Sequence, residues 1–388
     1  MHNSRYYDSS SENEYIGRES NSEDRDSLMG NSMRRTRSRR SLRILPKFIM
    51  AIVLVFVLVL VLRSSKTTTD ATQNLRSNAY VDGKYHMIIV ADLDKKSKVD
   101  GDSKGKWRSV AKKCILTPTN DGHYKAEWVG DFELTTQLSE AGRGMELSAL
   151  VEFNGRLYTF DDRTGLVFEI RGEKAIPRHI LMEGDGNTSK GQKTEWATVK
   201  DGKMYVGSFG KEYTNPDGSI KNQNNMWVSV IDSRGVITHE NWTDRFNKLR
   251  EAVGVPYPGY MIHEAITWSP YRKQWVILPR RVSREAYDEN KDERKGSNTV
   301  IFASEDFSHI EVKHITPLTP TRGFSEFKFL PGSQDRIIVA LKSEENEEKG
   351  TQNTYLTVFD VDGTLLMKET EIPGGMKFEG LEFYGFKI

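Results

Sequence analysis

Five residues of this chain share one local setting. Ser148 (MELSALVEFNGRLYTF), Glu195 (TEWATVKDGKMYVGSF), Glu264 (HEAITWSPYRKQWVIL) and Ser325 (GFSEFKFLPGSQDRIIVAL) each precede a hydrophobic strand, a turn and a second strand, and Glu379 opens a matching strand in KFEGLEF. They are spaced 47, 69, 61 and 54 residues apart, each about the length of a four-stranded propeller blade with its loops. Equivalent strand starts around a ring would meet at one axis. Three carboxylates would then face one another, an arrangement that a bound cation makes tolerable. Carboxylates with serine-position oxygens and no clustered His or Cys form a hard, all-oxygen site that favours Ca²⁺ over Zn²⁺. Taken singly, each glutamate reads better as a solvated strand end; recurrence at equivalent positions reverses that for the set.

Cations sit in nearby turns: Arg143, Arg163, Lys211, Arg280, Arg281 and Lys342. Each alone reads as a surface charge or an ion-pair partner. Beside a cation-filled axis they would repel unless an anion bridged them, and phosphate fits the guanidinium fork. Asp92 and Asp94 in VADLD are candidate catalytic acids that could orient a water or take its proton. Asp161 and Asp162 in DDRTG add further acids. Tyr213, two residues after Lys211, could stack on a base or simply pack its loop. No Walker loop, nucleophile elbow or zinc signature occurs.

The elements that must carry these residues are strands. HMIIVADLD and YKAEWVGDFEL precede the paired strands, and GLVFEI, MWVSVID, NTVIFAS and TYLTVFDVDG follow the same pattern. Asn154-Gly155, Asp201-Gly202 and Pro331-Gly332 mark turns. Only residues 244–254 read as a helix, with Gly254 as its stop. About twenty short strands without strand–helix alternation predict an all-β, five-bladed propeller over residues 83–388. The strand at Glu379 is expected to complete a blade begun by the N-terminal segment.

Residues 1–47 are Ser, Asn, Glu, Asp and Arg with little to bury, and read as a disordered tail. Residues 48–62 are fifteen uncharged apolar residues preceded by Arg34, Arg35, Arg37, Arg39, Arg40, Arg43 and Lys47. They lie far from the start and lack a following small-x-small cleavage site, so they read as a signal anchor rather than a cleaved leader. The basic flank places the tail in the cytosol and residues beyond 66 in the lumen or outside the cell, after a polar stem at 63–82. The sequons at Asn187 and Asn241 fall on that side. A net charge of +1 gives no reason to expect a nucleic-acid partner. Cys114 is the single cysteine, so no intramolecular disulfide can form; a buried thiol or an intermolecular bridge are its two readings.

The runs ADLD, GRGMELSALVEFNGRLYTFDDRTG, AIPRHILMEGDG, TEWATVKDGKMYVGSFGKEYT, HENW, PGYMIHEA, QWVILPRR, DERKGSN, GFSEFKFLPGSQDRIIVALKSEE and FEGLEF, in order over nearly all of 84–388, resemble the calcium-activated nucleotidase (apyrase) family. The resemblance implies Ca²⁺-dependent cleavage of nucleoside di- and triphosphates to monophosphate and phosphate on a five-bladed propeller. It implies calcium ligation by the carbonyl oxygens of Ser148 and Ser325 and the side chains of Glu195, Glu264 and Glu379. Asp92 matches the family's active-site acid and Arg280 its LPRR arginine. Substrate contacts are then expected from Arg143, Asp161, Arg163, Lys211, Tyr213, Arg280 and Arg281; Tyr213 stands where vertebrate members have Trp. A homodimer, seen in the family, has no sequence signature here. The expected setting is a type II membrane protein of the endoplasmic reticulum or Golgi, reaching the cell surface or being shed if it travels on. UDP and GDP left by glycosyl transfer, or ATP and ADP outside the cell, would be its substrates. Two other readings stay open: a calcium-stabilised binding scaffold, and another propeller hydrolase such as a lactonase or glycosidase.

Overall fold

The computed structural model describes residues 79–102, 105–215, 219–315, 317–346 and 349–386. The predicted tail, the apolar segment 48–62 and most of the stem lie outside the described residues. Among the described residues no helix is long and apolar enough to cross a membrane.

Four antiparallel sheets follow one another along the chain, each written here from the strand nearest the axis outward. The first runs Leu147–Phe153, Arg156–Asp161, Leu166–Arg171, Lys174–Ile180, and the second Trp196–Lys200, Lys203–Gly207, Trp227–Ile231, Ile237–Asn241. The third is Tyr260–Ser269, Gln274–Ser283, Thr299–Ser304, Ile310–His314, and the fourth Arg322–Phe329, Ile337–Asn346, Thr351–Asp360, Leu365–Glu371. The fifth is closed by both parts of the chain: Lys377–Phe383 pairs antiparallel with Lys84–Asp92, which continues to Trp107–Pro118 and Tyr124–Thr136. The five innermost strands touch in a closed cycle, first to second, third, fourth, fifth and back to first. This is a five-bladed propeller whose ends are joined by main-chain hydrogen bonds, as the sequence predicts.

The turns form where expected. Asn154 and Gly155, and Asp201 and Gly202, all adopt positive φ, the two-residue hairpin geometry that Asn-Gly and Asp-Gly favour. The helix is Thr243–Val253, and Gly254 ends it in the left-handed conformation at φ 77°. A second short helix, Glu289–Asp292, was not expected. These insertions explain the uneven spacing: the helix and the hairpin Tyr213–Thr214 with Ile220–Asn222 fall between Glu195 and Glu264, and the short helix between Glu264 and Ser325.

Innermost strands are buried on both faces, so they read as continuous apolar runs, whereas outer strands such as Lys174–Ile180 are largely exposed. Apolar side chains fill the seams between blades. One seam gathers Trp196, Trp242, Phe246, Trp268, Trp275 and Phe307 between the second and third blades, with ring centroids of Trp242 and Trp275 4.9 Å apart, edge to face. Cys114 is wholly buried in another seam with Met87, Leu116 and Leu381. Burial pushes its thiol up to about 12, which suits an inert core residue rather than a bridge to another chain.

Candidate active site

A regular antiparallel strand alternates its side chains between two faces, so a residue can be re-aimed only by breaking the ladder. The ladder breaks at four of the five ring positions. Pairing slips between Ser148 and Leu150, across Glu264 between His263 and Ile266, between Phe324 and Glu326 around Ser325, and opposite Glu379 between Val90 and Ala91. Ala149 takes φ 56° at the first of these slips. Glu195, the fifth, stands just ahead of its strand and donates its N–H to the Gly207 carbonyl at 2.8 Å. Bulges thus aim one residue in each of four blades at a common place, and in the second blade the residue just ahead of the strand takes the equivalent position.

The glutamates converge as the spacing predicts. One guanidinium nitrogen of Arg280 donates to both Glu264 and Glu379, the latter at 2.7 Å, and the other reaches Glu345 at 2.7 Å. Ser148 Oγ donates to Glu379 at 3.2 Å, and Ser325 Oγ to the Phe378 carbonyl at 2.9 Å. Lys193 bridges Glu195, at 2.7 Å, to Asp162. Lys377 sits 2.6 Å from Asp92, 3.3 Å from Asp94, 3.4 Å from Glu345 and 3.5 Å from Glu379. Arg143 grips both oxygens of Glu146.

Eight carboxylates, Asp92, Asp94, Glu146, Asp162, Glu195, Glu264, Glu345 and Glu379, therefore share five basic partners, Arg143, Arg163, Lys193, Arg280 and Lys377. Burial pushes Asp92 and Glu195 well above the usual carboxylate range, raises Glu379, and takes Glu146 to about 8. Burial alone would favour neutral Lys193, Lys377 and Arg280, but the surrounding acids hold them charged. Eight acids against five bases, crowded enough that burial disfavours their ionised forms, make an oxygen-lined site that fits a divalent cation, whose charge would favour the carboxylates. Asp92, Glu146 and Asp162 also bring carboxylate oxygens within 4.8 Å of one another. In that trio Arg143 holds Glu146, while Asp92 accepts the Asp94 N–H at 2.7 Å and pairs with Lys377. Asp162 Oδ1 is its one oxygen with no hydrogen-bond partner.

These groups line a cavity of about 570 Å³. Of the sequence candidates its wall carries Asp92, Asp94, Glu195, Glu264 and Glu379, and also Arg143, Arg163, Lys211, Tyr213 and Arg280. Ser148 and Ser325 lie buried behind it. Two expected substrate contacts face elsewhere. Asp161 is wholly buried and accepts the backbone N–H groups of Met145 and Arg163 at 2.7 and 3.0 Å, so it braces the turn. Arg281 is buried and runs to Asp292 at 3.4 Å because alternation along its strand turns it away from Arg280. Lys342 pairs with Glu369 at 2.8 Å away from the cavity wall. Asn187 and Asn241 are exposed, as sugar acceptors must be.

Sequence reasoning missed Glu146, Lys193, Glu345 and Lys377. For three of these the signal was there: Glu146, Lys193 and Lys377 each stand two residues before a ring position, at Ser148, Glu195 and Glu379, the period that keeps strand residues on one face. The corresponding residue before Ser325 is Gly323, where a Cβ would lie 2.3 Å from the Arg280 carbonyl and 2.6 Å from Arg280 Cγ. Gly323→Ala is expected to lower the melting temperature by several degrees and turnover more than tenfold, because Arg280 must shift. A variant with the parent's melting curve and rate would show that Arg280 has slack.

The fold and cavity define a five-bladed propeller with a buried, carboxylate-rich axial site interleaved with cations. The apyrase family model matches residues 93–384, and this chain belongs to the apyrase family. Soluble calcium-activated nucleotidase 1 from Rattus norvegicus is 48% identical over 302 residues, covering 77% of this chain and 74% of that one. An apyrase from Cimex lectularius is 41% identical over 324 residues, covering 81% and 85%, and apyrase apy-1 from Caenorhabditis elegans 40% identical over 305, covering 77% and 84%. A glutaminyl cyclase structure from Myxococcus xanthus matches with a TM-score of 0.30 and 10% identity over 70% of this chain and 86% of that one, too remote to bear on function.

Proposed function

We propose that this chain is a calcium-dependent nucleotidase that hydrolyses nucleoside di- and triphosphates, UDP and GDP among them, to the monophosphate and inorganic phosphate. The observation that carries the reading is the meeting of Glu264 and Glu379 on one nitrogen of Arg280, with Glu195 on the wall of the same cavity. Acids and phosphate-competent cations at one point suit a chelated pyrophosphate.

Glu195, Glu264 and Glu379 would hold Ca²⁺, with backbone oxygens of Ser148 and Ser325, whose hydroxyls are already engaged in the walls. When bound, the ion supplies positive charge to the phosphate oxygens and fixes their orientation. Arg280 and Arg143, on the cavity wall, would meet further phosphate oxygens with the guanidinium N–H groups that their carboxylate partners leave over. Asp92 orients the attacking water and accepts its proton; burial, which pushes its carboxyl up, makes it a stronger base than an exposed aspartate. Lys377 and the Asp94 N–H hold that carboxylate in place. The nucleoside monophosphate departs in line with the incoming water.

The apolar segment 48–62 would anchor the enzyme in a secretory-pathway membrane, with the propeller lumenal or extracellular and sugars on Asn187 and Asn241. Phosphate release by the full-length chain from UDP, GDP and ADP tests the central claim. Release with Ca²⁺ should exceed that with Mg²⁺ or chelator at least tenfold; a rate indifferent to Ca²⁺ would sink the reading.

A further inference from the structure

A second cavity, of about 290 Å³, opens in the seam between the first and second blades. It shares no wall residue with the axial cavity. Strand Leu147–Phe153 starts beside the axial site at Ser148 and ends at Phe153 in the wall of this cavity, roughly 17 Å further on at ~3.3 Å per residue. Arg156, Arg178, His179 and Arg234 stand in the wall, with buried Met204 and Ile231 behind them. Asn154 Nδ2 ties the two blades here by donating to the Ser233 carbonyl at 3.5 Å. The outer strand Lys174–Ile180 supplies two of these groups through a slip in its ladder. His179 faces Val167 and Pro177 faces Phe168, which leaves Arg178 as the extra residue of a bulge; a bulge re-aims side chains that strict alternation would send to opposite faces. Arg156 stands two residues before Tyr158, another wall residue on the same strand face.

The charges gathered there are only partly met. Buried Glu169 collects three arginines: Oε1 accepts two nitrogens of Arg171 at 3.0 and 2.8 Å, and Oε2 accepts Arg178 Nε at 2.7 Å with Arg156 Nη1 3.7 Å away. The Nη–H groups of Arg178, the Arg156 guanidinium and the His179 ring have no hydrogen-bond partner among the described residues. Asp232, the acid in the cavity wall, is already engaged by the Arg234 and Val236 N–H groups at 2.8 and 2.9 Å and by the Arg234 side chain at 2.7 Å. Two acids, Glu169 and Asp232, thus stand against four arginines, Arg156, Arg171, Arg178 and Arg234. We propose that this seam binds a phosphate or sulfate group, free in solution or carried as an ester on a sugar: Arg156 and Arg178 present paired N–H groups to its oxygens, His179 adds one ring N–H, and Arg234 closes the rim. Guanidinium forks match the oxygens of a tetrahedral anion, and a dianion meets both excess charges where a carboxylate meets one. Burial, and then Arg178, hold His179 below its usual range, so it donates one N–H as a neutral ring. The inference does not depend on the nucleotidase reading.

Calorimetry of the full-length chain in chelator, titrated with inorganic phosphate, inorganic sulfate and glucose 6-sulfate, tests this. Each should bind saturably at one site. Glucose 6-sulfate binding tighter than sulfate marks an ester as the occupant, and binding no tighter marks the free ion. Arg156→Gln removes no hydrogen bond to the protein, so its melting curve without added anion should match the parent's while all three affinities fall at least tenfold. Arg336→Gln removes the same charge from an exposed position outside the seam and should leave them within twofold. Phosphate release from GDP with Ca²⁺ should stay within twofold of the parent in both variants. Absence of saturable binding by all three anions, Arg156→Gln affinities equal to the parent's, or an equal loss in Arg336→Gln would each overturn the assignment and leave the axial site's reading untouched.

Discussion

Arg280→Ala should destabilise the propeller and nearly silence it. The side chain is buried and supplies hydrogen bonds to Glu264, Glu345 and Glu379, so its loss leaves Glu264 buried without a basic partner and leaves Glu345 and Glu379 with Lys377 alone. Removing one partner from a buried ion pair costs about 3–5 kcal/mol, and loss of a preorganised cation at developing phosphate charge lowers turnover roughly a hundredfold or more. Calcium should restore part of the stability, since the stranded acids still form a cation site, but none of the lost phosphate contact. Arg280→Lys should recover little, because an ammonium cannot span acids on both prongs of the guanidinium fork. Melting curves with calcium and with chelator, read beside phosphate release, check this. A variant that melts and turns over like the parent would show Arg280 to be a spectator.

Asp92→Asn is expected to separate binding from chemistry. The amide keeps an acceptor for the Asp94 N–H and nearly the same volume, while Lys377 retains Asp94, Glu345 and Glu379 as partners. Affinity for nucleotide and for Ca²⁺ should stay within a few-fold of the parent. The proton acceptor is gone, so kcat should fall by roughly 10²–10⁴. Calorimetric binding of GDP with calcium, set against single-turnover phosphate release, separates the two quantities. Unchanged turnover would transfer the role to another wall acid such as Asp162.

The ring was legible because each blade repeats one local sentence of strand, turn and strand, and the repeat points at its own first residue. Outer strands were harder to read. Lys174–Ile180, Ile237–Asn241 and Ile310–His314 carry few buried side chains, so their alternation is diluted by Pro177, His239 and Lys313. Trp107–Pro118 was hidden by Lys112 and Lys113 in mid-strand, whose long stems tolerate a half-buried position. Within the site, position was legible and pairing was not. Asp161 and Asp162 are neighbours, yet one closes a turn and the other meets Lys193, a choice made by backbone N–H groups that lack any side-chain signature. Arg280 and Arg281 differ in the same way, through strand alternation that the dipeptide alone does not phase.

Closure of the fifth blade carries a consequence for biogenesis. Lys377 and Glu379 reach the axis only on the strand that pairs with Lys84–Asp92, so the chain must be made to residue 379 and beyond before the catalytic centre has all its walls. A nascent chain halted anywhere short of that strand has four blades at most and an incomplete cation cage. Such a chain is expected to be inert, with activity appearing only once the ring is closed.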